Sequence, residues 1–467
     1  MSHASAPRDL KKQIAKSLEA RTDRPLPFKV NTRKATLARD QKAAEWPNFE
    51  ERRKKITDRR QEVIENLEEL HTQLRSQWKK NGIQVHEASD ASQARTIISE
   101  LLHQRGIHEI LKSKSMLSEE IEINDHLIRE GIEPLETDLG EYIVQLRHEA
   151  PSHITMPGMH LFRDDVGKLF ADKLDVPYTD DPPTLTRIAR QVLRQRFLHA
   201  KAGMIGVNFA VAETGHLITV TNEGNGRMVN TLPRIVIALM GWERVTQSIS
   251  DLGELWQILA RSATGQRATS YLSILQGPSE GAGGPDEVHL VIVDNGRKAI
   301  HADEDMREVL RCIRCGACLN ACPVYQQIGG HPYGGTYPGP IGSVLTPLLM
   351  GTDQAPHHPF ASSLCGSCEE VCPVRIPLPK LLLEMRKRRV ENRPWYDPEK
   401  PVWTLFKQVM LNRGRYETAT KMARAAQNAA PGKGFPIPGW TDHRDAPHFA
   451  PKPFRDLFHP ESEEDVR

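Results

Sequence analysis

The chain has 467 residues and a formal net charge of +2, with 39% hydrophobic and 26% charged residues. That balance excludes a disordered chain and gives no charge-based case for nucleic-acid binding; it fits a globular protein of about three domains. The opening stretch "MSHASAPRDLKKQIAKSLEARTDRP" has no apolar run, and the longest apolar segment lies near "IVIALMGW", Ile235 to Trp242. We therefore expect no secretory signal, no transmembrane segment, a cytoplasmic location and no nucleic-acid partner.

Residues 1–45 are polar and basic and read as a loosely ordered arm or docking segment. "EWPNFEERRKKITDRRQEVIENLEELHTQLRSQWKKNG" follows as a long amphipathic helix, with the basic run Arg52 to Lys55 on its solvated face. An alternation comes next. "IQVHEA" is a strand and "DASQARTIISELLHQRG" a helix, capped by Asp90 and closed by Gly106. "HEILKSKS" is a strand and "LSEEIEINDHLIREG" a helix, with Ser115 or Ser118 as its cap. "IEPLETD", "LGEYIVQLRHEA" and "SHITMP" repeat the strand–helix–strand rhythm of a parallel α/β sheet. Helical stretches run from about 160 to 200. "MIGVNFAVAETGHLITVTNEGN" reads as two strands turning at Glu213-Thr214-Gly215, a hairpin added to the sheet. "RIVIALMG" and "VHLVIVDNG" have the composition of buried central strands. The α/β part ends near residue 300. A Pro-rich tail, residues 396–467, contains one expected helix, "YETATKMARAAQNAA".

All seven cysteines lie between Cys312 and Cys372. An odd number confined to one segment argues against a disulfide framework and for metal. "RCIRCGACLNACPVY" is a complete C-x2-C-x2-C-x3-C-P run with Cys312, Cys315, Cys318, Cys322 and Pro323. In such runs three thiolates wrap one iron–sulfur cube, and the fourth cysteine ligates a second cluster. Zinc prefers CxxC pairs with a longer spacer, so iron–sulfur is the better reading. "SSLCGSCEEVCP" repeats the pattern with Cys365, Cys368, Cys372 and Pro373, but Ser362 stands where its first cysteine belongs. The crossover rule then assigns Cys312, Cys315, Cys318 and Cys372 to cluster one. Cluster two takes Cys322, Cys365 and Cys368, with Ser362 as candidate fourth ligand. We expect 4Fe–4S for both. For the second the open choices are a serine alkoxide, a water, or an absent iron as in 3Fe–4S. The spacer from Pro323 to Leu364 is Gly/Pro-rich and then apolar, which fits a helical ferredoxin arrangement with an inserted helix. Its His331, His357 and His358 read as loop histidines rather than ligands.

Other chemistry is sparse. Glu213, at a strand end, is the candidate for a transferase- or isomerase-type nucleophile or base. "GNGRMV" lacks the third glycine of a dinucleotide fingerprint, and no helix start is expected after it.

The two cysteine runs, with "GGHPYG", "YPGPIGSVLTPLL" and the upstream "NFAVAETGHLITVTNEGNGRMVNTLPRIVIALMG", closely resemble the lactate utilization protein B family over about residues 50–395. The resemblance implies an α/β LUD domain similar in fold to the NagB/ribose-phosphate-isomerase (RpiA)/CoA-transferase group, over 46–300. It implies a helical ferredoxin-like domain with two iron–sulfur clusters over 301–395, between an N-terminal extension (1–45) and a C-terminal one (396–467). It further implies a non-catalytic electron-transfer subunit of a complex that oxidises L-lactate to pyruvate. The implied partners are a cysteine-rich iron–sulfur subunit and a second LUD-domain protein, with an unidentified electron acceptor. Iron–sulfur subunits of fumarate reductase and succinate dehydrogenase, similar in their cysteine domain, keep the first position of the second run and lose the second. This chain does the reverse, so their 3Fe–4S assignment does not carry over.

Overall fold

Six short strands rich in β-branched and aliphatic residues form one parallel sheet in the order β1-β10-β7-β4-β2-β3. They are β1 (Gln84–Ala88), β2 (Glu109–Lys112), β3 (Glu133–Glu136), β4 (Ala202–Gly206), β7 (Ile235–Gly241) and β10 (Glu287–Val293). The protein is described by a computed structural model covering residues 10–19, 26–281, 283–392, 394, 396, 399–429, 441 and 449–457. The central strands are buried on both faces, and alternate residues serve different cores. Ile237, Leu239, Val291 and Val293 join the helices Ala91–His103 and Ile123–Arg129 in one core. Val236, Ala238, Met240, Leu290 and Ile292 join a larger core that continues through Leu310 and Leu319 to Leu381. The sheet and the cysteine region thus share one hydrophobic interior.

The hairpin turning at Glu213-Thr214-Gly215 is present, but it does not extend the main sheet. Its strands β5 (Phe209–Val211) and β6 (Leu217–Thr221) sit in a second sheet of order β8-β5-β6-β9. The edges of that sheet are β8 (Val245–Thr246) and β9 (Tyr271–Leu275). "SHITMP" forms no strand. The ring Nδ1 of His153 accepts the backbone N–H groups of Thr155 (3.1 Å) and Met156 (3.2 Å), which folds this stretch into a tight turn. A short helix, Asn225–Thr231, does begin within "GNGRMV", entered through Gly224 at φ 75°.

The N-terminal segment is not a loose arm where it is described. It forms α1 (Leu10–Glu19) and α2 (Pro27–Ala44). α2 lies against the helices Ile249–Thr264 and Ala317–Ala321, so it touches both the α/β part and the first cysteine run. The long helix that follows is broken at Asn66 into α3 (Phe49–Glu65) and α4 (Leu67–Lys80). After the cysteines, Leu378–Glu391 is helical as its pattern suggests.

The chain divides into two compact units, Met1–Arg389 and Val390–Arg467. In the second, the expected helix appears as Arg413–Ala429, and a further one, Glu399–Met410, was not expected. Trp403, Leu405, Phe406 and Met410 of that helix are exposed. Among the described residues no helix is long and apolar enough to cross a membrane.

At the C-terminal end of β2 the Lys112 ammonium is fully buried between Asn124 (2.5 Å) and the Glu136 carboxylate. Burial alone would lower its pKa; Glu136 and Glu119 more than reverse this and raise it. Lys112→Met would leave the Glu136 carboxylate buried without its counter-charge. We expect a loss of about 3–5 kcal/mol, read by urea unfolding at neutral pH.

Candidate functional site

The two cysteine runs have the same backbone, fifty positions apart in register. In the first, Arg314 (φ 59°) and Gly316 (φ 76°) flank Cys315 in left-handed conformation. In the second, Leu364 (φ 56°) and Gly366 (φ 87°) flank Cys365 in the same way. Short helices follow at Ala317–Ala321 and Ser367–Glu370. Left-handed residues on both sides of a cysteine curl the chain tightly, so that successive thiols and N–H groups face one side. The Arg314 N–H points at Cys312 Sγ (3.4 Å). Its counterpart, the Leu364 N–H, donates to Ser362 Oγ (3.1 Å). Ser362 therefore occupies, in backbone terms, the position that Cys312 holds in the first run.

All seven cysteines are free thiols. Electrostatically they fall into two sets. Burial raises the Cys315, Cys318 and Cys372 thiols; their cysteine neighbours are chiefly one another and Cys312, while Arg39 acts to lower Cys315 and Arg53 to lower Cys372. Burial also raises Cys322, and pushes Cys368 up to about 12, and here the neighbours are one another and Cys365. An electrostatic interaction joins the sets, that of Cys318 with Cys368. Cys365, the exposed member, is shifted down, chiefly by hydrogen bonds from Ser367. Backbone N–H groups serve the sulfurs of both runs, as with Ile376 on Cys372 Sγ (3.4 Å). Crowded thiols with high pKa values stay protonated on their own; an iron–sulfur core with thiolate ligands relieves both the crowding and the proton. The donor set therefore fits such a group.

Arginines from the N-terminal helices hold these loops, and sequence reasoning missed them. Arg53, inside the supposedly solvated basic run, is buried. Its Nε donates to Cys372 O (2.9 Å) and its Nη2 to Glu369 O (3.1 Å). Arg39 Nη2 donates to Val371 O (3.2 Å), and Arg60 Nη2 to Leu310 O (3.3 Å). A helical periodicity of three to four residues from Ile56 back to Arg53 and on to Arg60 was the available signal.

The histidines of the spacer are engaged elsewhere. His358 is buried with Nε2 on Tyr333 O (2.8 Å). His331 Nε2 meets Ala150 O (2.8 Å) and lies beside His160 and Glu149. Glu213 caps a helix start, accepting the Ile249 N–H (3.2 Å), and Ser115 caps another, accepting that of Ser118 (3.3 Å). A cavity of about 260 Å³ opens at the C-terminal edge of the parallel sheet. Glu213 does not line it; Ser115, Asn225, Glu243, Arg244, Arg314 and Tyr337 do. One wall of this cavity is thus the loop between Cys312 and Cys315.

Three family models match in order. They are the LUD domain over residues 71–293, the 4Fe-4S dicluster domain over 308–376, and the C-terminal region of lactate utilisation protein B over 396–463. Lactate utilization protein B of Bacillus subtilis (strain 168) is 45% identical over 427 residues, 89% of each chain. The chain belongs to the lactate utilization protein B family. The family's protein from Bacillus velezensis is 44% identical over 429 residues, 90% of each chain. A solved DUF162 family protein from Deinococcus radiodurans matches at TM-score 0.28 and 14% identity, covering 49% of this chain and 98% of its own. Membership of the lactate utilization protein B family, with a dicluster domain, makes this an iron–sulfur protein with a role in lactate utilization.

Glu243 ties the cavity wall together. Burial acts to raise its carboxyl, but Arg297, Arg244 and Arg314 outweigh that and hold it at about 2, below the ordinary 4.5. A carboxylate depressed on folding stabilises fully above its unfolded pKa and loses that contribution as pH falls toward the folded one. We expect Glu243→Gln to cost roughly 3–5 kcal/mol at neutral pH and to flatten the fall in stability between about pH 4.5 and 2, measured by urea unfolding across that range.

Proposed function

We propose that this chain is an electron-transfer subunit of a complex that oxidises L-lactate to pyruvate, with two iron–sulfur clusters. What supports the reading is that seven free thiols lie within a matched 4Fe-4S dicluster domain and neighbour one another across the two runs, Cys372 beside Cys315 and Cys318, and Cys322 beside Cys368. Cys312, Cys315, Cys318 and Cys372 would hold cluster one; Cys322, Cys365 and Cys368 would hold cluster two, with Ser362 as the fourth candidate. When bound, a 4Fe–4S cluster supplies reversible one-electron chemistry. The protein's own part is to hold the thiolates, direct N–H groups at the sulfurs and keep water out of the buried set. The exposed apolar residues of the helix Glu399–Met410 favour a chain that works with partners, here the cysteine-rich subunit and second LUD protein that the family resemblance implies.

Anaerobically purified protein should contain about eight irons and eight sulfides per chain and give EPR signals on reduction. A colourless protein holding only zinc overturns the reading. Alanine variants test the crossover. Cys372→Ala should abolish the same signal as Cys312→Ala, and Cys322→Ala the same signal as Cys368→Ala. If Cys372→Ala and Cys368→Ala extinguish a common signal instead, each run binds its own cluster. Ser362→Cys should alter the second signal; an unchanged spectrum would remove Ser362 from the ligand set.

A further inference from the structure

The turn at "SHITMP" is flanked by a second donor group, outside the cysteine sets. One donor atom each of Glu149, His160 and His331 lies within 4.8 Å of the other two. Glu149 and His160 lie between the helices Leu139–Leu146 and Arg163–Leu174 of the α/β part, whereas His331 belongs to the spacer between the cysteine runs. The spacer meets the α/β part here. Gly330 packs against the Ser152 carbonyl, which also accepts the Tyr325 hydroxyl (2.6 Å). The His160 and His331 rings meet edge to face with centroids 4.6 Å apart.

Hydrogen bonds fix where the lone pairs sit. With its one hydrogen on Pro157 O (2.8 Å), Ser152 Oγ accepts from the Nδ1–H of His160 (2.9 Å). His160 Nε2 then presents a lone pair to Glu149 Oε2 at 2.9 Å. Two acceptors at that distance need a cation between them, a proton or a metal ion. A carbonyl can only accept, so His331 Nε2 donates to Ala150 O (2.8 Å), which places its lone pair on Nδ1. A proton shared by His160 and Glu149 leaves this third donor unused; a metal ion uses all three. Each donor also has the outer partner that orients a metal ligand: Ser152 for His160, Ala150 O for His331, and Arg147 Nη2 on Glu149 Oε1 (2.7 Å).

The chemistry of the set selects the class of ion. Arg147 offsets the charge of Glu149, so the site offers no net negative charge to magnesium or calcium, which take oxygen ligands. Two imidazoles and one carboxylate suit a borderline ion, and three protein ligands with a position left for water is a common zinc arrangement. We propose that Glu149, His160 and His331 bind one zinc-class divalent ion, which fastens the spacer to the α/β part. Ligand bonds of about 2.0–2.2 Å require the donors to draw together by no more than about 1.5 Å. His331 is exposed, so it is free to make that movement and the ion enters from solvent. The ion stabilises the path of the spacer, and with it the return of the second cysteine run, without touching a thiol.

The test uses the full, cluster-loaded chain under anaerobic conditions, passed over a chelating resin and titrated calorimetrically with zinc, magnesium and calcium chlorides. Zinc should bind at one equivalent with a Kd of about 10 μM or tighter, with magnesium and calcium inert and the iron and sulfide contents unchanged. His331→Ala should weaken zinc binding at least about a hundredfold; its urea midpoint without zinc shows whether it is folded. Glu149→Gln, nearly isosteric, gives an independent test and should weaken it at least about tenfold. Zinc K-edge X-ray absorption should show nitrogen and oxygen ligands at about 2.0–2.2 Å and no sulfur at about 2.3 Å. Zinc should slow amide hydrogen exchange over residues 329–335 in wild type and not in His331→Ala. A sulfur shell, a Kd weaker than about 10 μM, or undiminished affinity in either folded variant overturns the site. Bound zinc without that protection overturns the clamp. Zinc held by nitrogen and oxygen in a chain that carries no iron would refute the electron-transfer reading and leave the site standing.

Discussion

The thiols of the two cysteine runs are electrostatic neighbours, Cys372 of Cys315 and Cys318, and Cys322 of Cys368. The chain between Pro323 and Leu364 must therefore leave the first run and bring the second back beside it. Most of the architecture around the cysteines serves that return. The helix Gly339–Met350 fills the interior of the excursion with Ile341, Val344 and Leu345. Its Gly342 lies so close to the Tyr337 carbonyl that a Cβ there would stand 1.6 Å from the oxygen. At Gly330 the excursion crosses the α/β part, with a Cβ position 1.8 Å from Ser152 O. Only glycine allows either approach, so the path of the spacer is set by backbone contact rather than by side-chain packing alone.

A close return is not enough, because carbonyls near the sulfurs need donors when the thiols face inward. The N-terminal helices supply them. Arg53 satisfies two carbonyls of the second run, including that of Cys372, and Arg39 a third. Arg60 links the approach to the first run with the Val245 and Glu243 carbonyls of the α/β part. Cationic donors also place positive charge beside a group of thiolates, which suits an anionic cluster. α2 and α3 are therefore part of the cysteine site, although they precede it by some 250 residues in sequence.

These long-range contacts explain what could be read from sequence and what could not. The cysteine spacing was legible because its geometry is local: two residues between thiols, a glycine that curls the loop, a proline that redirects it. The main sheet was legible from its apolar strands and capped helices. Arg53 was not, because "ERRKK" looks solvated until one knows what lies against that helix face. The turn at "SHITMP" was missed because an apolar-polar alternation hid a histidine that collects two backbone N–H groups. The hairpin was seen, but its sheet was not, since pairing with β8 and β9 joins segments far apart in sequence. Ser362 lies between these cases. Its spacing marked the position, and the matching N–H contacts at Cys312 and Ser362 show that the two runs share one backbone form there.

The same backbone form bears on why the α/β part and the cysteine region share an interior. Left-handed Arg314 is the price of curling the first run, since a glycine would adopt φ 59° with less strain. In the second run the equivalent residue is Leu364, so a large side chain at this position is compatible with the curl, and arginine is not required by it. What distinguishes Arg314 is its direction of use: it stacks on Tyr337, reaches Glu243 and walls the cavity above the sheet. Tyr337 in turn donates to Glu120 Oε2 (2.6 Å), and Arg297 joins Glu120 to Glu243. A closed circuit of charged and aromatic groups thus runs from a loop that curls around thiols to the strand ends of the sheet. The charged side chains of this circuit are each less than a tenth exposed and Tyr337 is buried, so a change of charge at one point is poorly screened and reaches the others. A cluster loop that was only a ligand scaffold would have no need of an arginine on its far side.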